Sequence, residues 1–271
     1  MKRGIAVFAL IFSFLWFGCT QKIVKPTPTP ALDSILQRGE LVLGTAGSMP
    51  PLNMTTKDGE VIGFEVDLAR MMADAMGVKL KIETMQFSEL LPALEKGKVD
   101  LVMSGMTITP KRNLKVAFVG PYYVSGKAFL TKIETIANAK EATEVNSPNT
   151  RLTALKGSTS QYFVQAVLPK VQFIPAKDYN EAVDLVLKGK VDAMVADYPI
   201  CVVSLLRHPN QGLLSIFTPL TYEPIGIALP SYDPHLVNWM ENFLDTLDET
   251  GRLDELTERW FEHASWLKRL P

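Results

Sequence analysis

The sequence predicts an α/β protein built as two similar, doubly wound lobes, and three observations carry that prediction. From Leu41 onward, strand-like and helix-like apolar patterns alternate. The segment Lys96-Gly97-Lys98-Val99-Asp100 recurs 92 residues later as Lys188-Gly189-Lys190-Val191-Asp192. The length, 271 residues at 47% hydrophobic and 21% charged, sits between one large domain and two ordinary ones and is ample for a packed core.

The first element is an address. Lys2 and Arg3 precede an apolar run from Ile5 to Phe17, interrupted only by Ser13. A membrane-spanning helix needs about 20 apolar residues, so this run reads as the core of a secretory signal peptide over residues 1–18. It ends in Phe17-Gly18-Cys19, which resembles the lipobox of bacterial lipoproteins; the resemblance implies cleavage before Cys19 and its acylation. A plain signal peptide with an incidental cysteine is the alternative. Next, Lys25-Pro26-Thr27-Pro28-Thr29-Pro30 alternates proline in a way that favours extended polyproline II, so residues 19–31 read as a spacer between membrane and folded part.

The folded part follows in order. Leu41-Val42-Leu43 is a short apolar strand. Ala69, Met72, Ala73 and Met76 make one stripe of a helix over 65–76 that stops at Gly77. Val78 to Thr84 alternates as a strand. Ser88 is a candidate cap for a helix carrying Leu90, Leu91 and Leu94, with Pro92 near its start and Gly97 at its end. Val99 to Met103 is the next strand. This order predicts parallel sheets with a binding crevice at the strands' carboxyl ends. Each copy of the echoed segment follows an apolar helix and leads into a strand, ending at Ser104-Gly105 in one case and Ala196-Asp197 in the other. Leu41–Gly44 is likewise echoed by Leu152–Leu155. Near the carboxyl terminus, Leu236, Trp239, Met240, Phe243 and Leu247 form a helical stripe that ends at Gly251. Leu253, Leu256 and Trp260 begin another, and both are read as packing.

Composition excludes several classes. A net charge of −1 without a basic run argues against nucleic-acid binding. Two cysteines exclude a disulfide scaffold. His208, His235 and His263 lack metal-ligand spacing, and no Gly-x-Ser-x-Gly elbow or phosphate-binding glycine loop occurs. Cys201, in an apolar run, reads as a buried structural thiol. Neither a metal nor a cofactor is expected.

Gly63-Phe64-Glu65-Val66-Asp67-Leu68 with the Met72-Ala73 helix resembles the signature of the family 3 bacterial extracellular solute-binding proteins. So do Met49-Pro50-Pro51-Leu52-Asn53, Phe87 to Leu94, Ser104-Gly105-Met106-Thr107-Ile108-Thr109 through Arg112, Pro121-Tyr122-Tyr123, Lys156 to Ser160, and Val191 to Asp197. The resemblance runs colinearly over residues 32–266. It implies a periplasmic-binding-protein-like fold with two lobes, residues 32–121 plus 224–271 and residues 122–223. Two crossovers, near Tyr122–Gly126 and Leu220–Glu223, would join them. It also implies a monomeric amino-acid receptor of an ABC importer, in the periplasm or at the cell surface, with permease subunits as partners.

An α-amino acid presents a carboxylate and an ammonium on one carbon. Taken alone, Arg112 could be a solvated surface arginine; within the motif it is expected to grip the carboxylate with its planar fork. Backbone amides at Thr107 and at Ser158-Thr159-Ser160 are expected to aim at the same anion. Asp197, otherwise a helix cap, would accept from the ammonium, helped by the Ser104 carbonyl and Thr107 hydroxyl, with Gly105 beside them. Phe87 and Met49 match the aromatic platform and wall of the side-chain subsite. Ala46 and Leu155 stand where relatives carry polar readers, which favours a polar-neutral or hydrophobic side chain over a cationic one. Glu65 and Asp67 are expected to complement a helix dipole. Secreted cyclohexadienyl dehydratases are similar and supply the enzymatic alternative, but their acid is matched by Gln161, whose amide cannot serve in proton transfer. A sensor module is disfavoured because no effector domain follows before Pro271.

Overall fold

The structure, a computed structural model, describes residues 29–215 and 220–271. The predicted signal peptide, Cys19 and the spacer through Pro28 lie outside the described residues. In chain order the elements are α1 (Pro30–Arg38), β1 (Glu40–Thr45), β2 (Ser48–Met49), β3 (Asn53–Thr55), β4 (Val61–Ile62), α2 (Phe64–Met76), β5 (Lys79–Thr84), α3 (Phe87–Glu95), β6 (Leu101–Val102), α4 (Pro110–Asn113), β7 (Ala117–Ser125) and β8 (Lys127–Thr131). They continue as α5 (Glu134–Ala137), β9 (Arg151–Leu155), α6 (Thr159–Val167), β10 (Gln172–Ala176), α7 (Tyr179–Leu187), β11 (Ala193–Asp197), α8 (Tyr198–Arg207), β12 (Leu214–Ser215), β13 (Glu223–Leu229), α9 (Pro234–Glu249) and α10 (Arg252–Thr257).

Two five-stranded sheets organise the lobes, ordered β5-β1-β6-β13-β7 and β10-β9-β11-β8-β12; β2, β3 and β4 form a small antiparallel sheet. Parallel pairing is confined to β5-β1-β6 and β10-β9-β11. The expectation of wholly parallel sheets is therefore corrected. β13 runs antiparallel to β6 and β7, and β8 antiparallel to β11 and β12. β8 and β13 enter their sheets directly from the other lobe. No crossover helix turns them round, so they run against their neighbours. The chain passes from the first sheet to the second between Ser125 and Lys127 and returns between Ser215 and Glu223.

The echoed segments fold alike. Gly97 and Gly189 both take φ of 65° and end their helices, a left-handed conformation that costs glycine little. The aspartate closing each segment then holds the strand that pairs parallel with the one it leads into, β1 beside β6 and β9 beside β11. Asp100 accepts from Val42 N at 2.8 Å and pairs with Arg38, and Asp192 accepts from Arg151 N at 2.7 Å and from the Arg151 side chain.

Two local expectations shift. α3 begins at Phe87, so Ser88 is helical rather than its cap; Gln86 N donates to Glu89 Oε2 across the first turn instead. α1 begins at Pro30, so Pro30 and Ala31 belong to the folded part and not to the spacer. Proline suits a first helical position, where its missing N–H has no intrahelical partner. Asp233, fully buried, accepts from Ala31 N and Leu32 N at 3.0 and 2.9 Å and also from Leu236 N at 3.0 Å, capping α1 and α9 with one carboxylate.

One apolar core lies under β1 and β13, where Leu41, Leu43, Leu68, Met72, Ile227, Leu236 and Met240 meet Trp260 and Trp266. A second, around Phe129, Leu130, Leu152, Met194 and Val195, also reaches Phe87, Leu90 and Val102 of the first lobe. The lobes are thus packed against each other.

Candidate functional site: a cleft between the sheets

The parallel strands of both sheets point their carboxyl ends at a common cleft. There a cavity of about 350 Å³ is lined by Ala46 after β1, Met85 after β5, Leu155 at the end of β9 and Lys177 after β10, with Phe87 beside them. This is the crevice position expected of doubly wound sheets.

Arg112 lies deeper. Thr109 caps α4 by accepting from Arg112 N at 3.2 Å. The Arg112 guanidinium donates to Thr107 O of its own lobe at 2.8 Å and to Gly157 O of the other at 3.3 Å, and lies 5.6 Å from the centre of the Phe87 ring. Burial pushes its pKa down, against the opposing pull of Tyr162, Glu223 and Asp197. Among the described residues it forms no ion pair with a carboxylate. Thr107 is fixed by a bridge to Ile225 of β13, with Ile108 N donating to Pro224 O at 2.7 Å. The Ile108 amide is therefore spent, and Thr107 does not itself precede a helix as expected. Its hydroxyl meets that of Thr159 at 3.2 Å across the cleft. Lys111 also crosses it, 4.9 Å from the centre of the Tyr162 ring.

Ser158 caps α6, accepting from Gln161 N at 3.2 Å and donating to Leu155 O at 2.6 Å. Thr159 is therefore the first helical residue, and the amides of that first turn have no intrahelical acceptor. Gln161 Oε1 accepts from Gly157 N at 2.8 Å, so its side chain serves the turn.

Asp197 ends β11 with a partner the sequence reading did not foresee. Lys127 Nζ lies 2.7 Å from Asp197 Oδ1 and 3.3 Å from Glu223 Oε2, with only 1% of the lysine side chain exposed. Thr159 Oγ1 donates to Glu223 Oε2 at 3.0 Å, and Thr221 Oγ1 to Glu223 Oε1 at 3.0 Å. Burial pushes the Asp197 carboxyl above its ordinary value despite Lys127. Burial would raise Glu223 too, but the Lys127 charge and the hydroxyls of Thr107, Thr159 and Thr221 outweigh it and hold Glu223 below the usual range. The only sequence sign of this trio was a lysine opening the otherwise apolar strand Lys127-Ala128-Phe129-Leu130.

The remaining expected residues are structural neighbours of the cleft. Ser104 Oγ accepts from Ala46 N at 3.0 Å and donates to Met49 Sδ at 3.3 Å, and a Cβ on Gly105 would stand 2.6 Å from Met49 Cε. Met49 is thus packed inward rather than lining an open wall. Glu65 is not a simple helix-dipole partner. Fully buried, it accepts from Asn53 Nδ2 at 2.6 Å, Gly105 N at 2.7 Å and Tyr122 Oη, and desolvation raises its pKa. Asp67 accepts from Trp260 Nε1 at 3.0 Å and tethers the carboxyl-terminal segment.

Two α/β lobes around a cleft, with a half-buried arginine reaching from one lobe to the other, have the build of a solute-binding protein. The chain belongs to the bacterial extracellular solute-binding proteins, family 3, whose family model matches residues 41–263. A putative ABC-transporter binding component from Wolinella succinogenes, solved with lysine, superposes with a TM-score of 0.80 at 40% identity, covering 85% of this chain and 99% of that one. The glutamine-binding protein GlnH of Bacillus subtilis is 29% identical over 97% of this chain and 98% of its own length. Cyclohexadienyl dehydratase of Pseudomonas aeruginosa is 25% identical over 86% of each.

Proposed function

We propose that this protein is the extracytoplasmic receptor of an ABC importer, which captures an amino acid or a carboxylate solute of that size between its lobes and presents it to permease subunits. The carrying observation is Arg112: a half-buried guanidinium held between Thr107 and Gly157 of opposite lobes and paired with no carboxylate among the described residues. Such a fork is half of a bidentate ion pair, and a ligand carboxylate is the other half. Thr107, Thr159 and the first turn of α6 are close enough to share that anion. Asp197 and Ser104 mark the neighbouring polar end, and Phe87 and Leu155 the side-chain end. The lobes, 32–121 plus 224–271 and 122–223, close as the ligand bridges them. Anchoring through Cys19, a monomeric state and residence in the periplasm or at the cell surface complete this reading.

Ligand binding to the native state raises its melting temperature by mass action. A thermal-shift screen of amino acids and related carboxylates should yield stabilising compounds. Arg112→Ala should abolish their effect while the apo melting curve stays cooperative; an unchanged ligand shift in Arg112→Ala would exclude this pocket.

The dehydratase relative favours a second, enzymatic reading. Against it stands Gln161, an amide engaged with Gly157 N, where the resemblance calls for an acid. Purified protein is expected to leave prephenate and arogenate unconverted, and rapid turnover of either would reverse this choice.

A further inference from the structure

Glu65 completes a buried hydrogen-bond relay that joins two first-lobe loops facing the cleft. At one end Gly47 N donates to Asn53 Oδ1 at 2.8 Å, and Asn53 Nδ2 donates onward to Glu65 Oε2 at 2.6 Å. At the other end Gly105 N donates to Glu65 Oε1 at 2.7 Å, and the Tyr122 hydroxyl donates to the same oxygen. Asn53 and Glu65 have no exposed surface. The carboxylate is seated by the start of α2, where Phe64 N and Glu65 N donate to Pro51 O and Leu52 O at 3.1 and 2.9 Å.

What the relay holds is the first lobe's side of the cleft. Gly47 stands between Ala46 and Ser48, which both line the cavity. Gly105 stands two residues before Thr107, whose carbonyl holds Arg112 and whose hydroxyl meets Thr159 of the other lobe. Ser104 Oγ, accepting from Ala46 N, ties the same two loops a second time. Tyr122 brings in β7, the strand that leads to the first crossing.

Polarity restricts which side chains can make this relay. Its two ends are backbone N–H groups, which only donate. An amide side chain passes a hydrogen bond on, accepting with its oxygen and donating with its nitrogen. Two amides in series between two donors therefore set one donor against another, whichever way each amide is turned. One member has to accept on both faces, and a carboxylate does so. In a buried relay the mismatch leaves a donor unsatisfied and one loop unheld.

We propose that Glu65 is a positioning residue for solute binding: its carboxylate holds the 46–48 and 104–107 loops in the mutual arrangement that a bound solute requires. This rests on the receptor reading and adds to it a residue that acts on the solute only through those loops. When the loops are free to part, only the fraction of molecules with both in place binds, and apparent affinity falls by that fraction.

The test uses the same polarity argument. Glu65→Gln keeps the shape and spoils the relay, whereas Glu65→Gln with Asn53→Asp moves the carboxylate one place along and restores it. The twenty common L-amino acids serve as probes, titrated by calorimetry into each purified variant at a temperature where circular dichroism shows it folded. Amide hydrogen exchange of segments 46–53 and 104–107 is read on the same proteins without a probe. Glu65→Gln should bind the wild type's best probe about 10-fold more weakly and exchange faster in at least one segment, and the double variant should recover both. Should Glu65→Gln not fold, Asn53→Ala, which cuts the relay and leaves the carboxylate on Gly105 N, takes its place with the same expected losses. Affinity equal to the wild type's in the single variant, or no recovery in a folded double variant, overturns the inference and leaves the receptor reading intact. Binding of no probe to the wild-type protein overturns both.

Discussion

Cys201 shows how completely burial can silence a reactive group. Its side chain is inaccessible, and desolvation pushes the thiol pKa up to about 12, leaving almost no thiolate at pH 8. In a Cys19→Ser variant, which leaves Cys201 as the one thiol of the sequence, a disulfide reagent such as 5,5′-dithiobis(2-nitrobenzoate) should therefore react only on the timescale of unfolding and at once in guanidinium chloride; prompt labelling of that native variant would contradict the burial of Cys201. The echoed aspartates show that one motif can titrate two ways. Burial raises Asp100 despite its cap on Val42 and its pairing with Arg38. At Asp192 burial acts in the same direction, but the hydrogen bonds from Arg151 outweigh it and the pKa falls. A depressed carboxylate adds stability above its unfolded pKa and loses it as pH falls through the folded value. The melting temperature of Asp192→Asn should thus lie below that of the wild type at pH 7, with the gap narrowing towards pH 2. A gap independent of pH would assign the effect to the cap geometry alone.

At the scale of elements, the two ends of the first lobe are tied by single carboxylates. Asp233 accepts from amides of both α1 and α9, and Asp67 holds Trp260. Removing a buried acceptor leaves its donors unsatisfied. Asp233→Ala should accordingly cost about 3 kcal/mol in urea unfolding, far more than a surface Asp→Ala; a loss under about 0.5 kcal/mol would mean that water replaces the carboxylate. The elements themselves were largely legible. α2 and α9 follow from apolar stripes and terminal glycines, and the paired turns at Gly97 and Gly189 follow from the repeated segment. The strand directions were not, because periodicity records which face is buried and carries no sign for parallel or antiparallel pairing. The start of α3 was displaced by one residue because Ser88 has cap chemistry, whereas the first turn is closed by Gln86 and Glu89.

For the whole molecule, the proposed function lies in the relation between the lobes. Thr107 to Thr159, Arg112 to Gly157 and Lys111 to Tyr162 all cross the cleft. A ligand that adds contacts to both sides shifts the population towards closure. Small-angle scattering should therefore record a smaller radius of gyration with saturating ligand than without, and no contraction would place recognition within a single lobe. The proposed grip starts from Arg112, whose planar fork has one chemistry wherever it falls, whereas the place of Thr107, at a bridge to β13 and not before a helix, had no sequence signal. Glu65 reads in sequence as a helix-start acid and becomes a buried knot only because Asn53, Gly105 and Tyr122 converge on it. Lys127 and Glu223, 96 residues apart in the chain, carried no joint signal. The sequence by itself determined the two-lobe class and the repeated segments that end at Asp100 and Asp192, since these rest on local periodicity and on turn chemistry. Only the tertiary structure decided that a buried lysine stands against Asp197, because a charge pair between neighbouring strands β8 and β11, 70 residues apart in the chain, exists only once that sheet has formed.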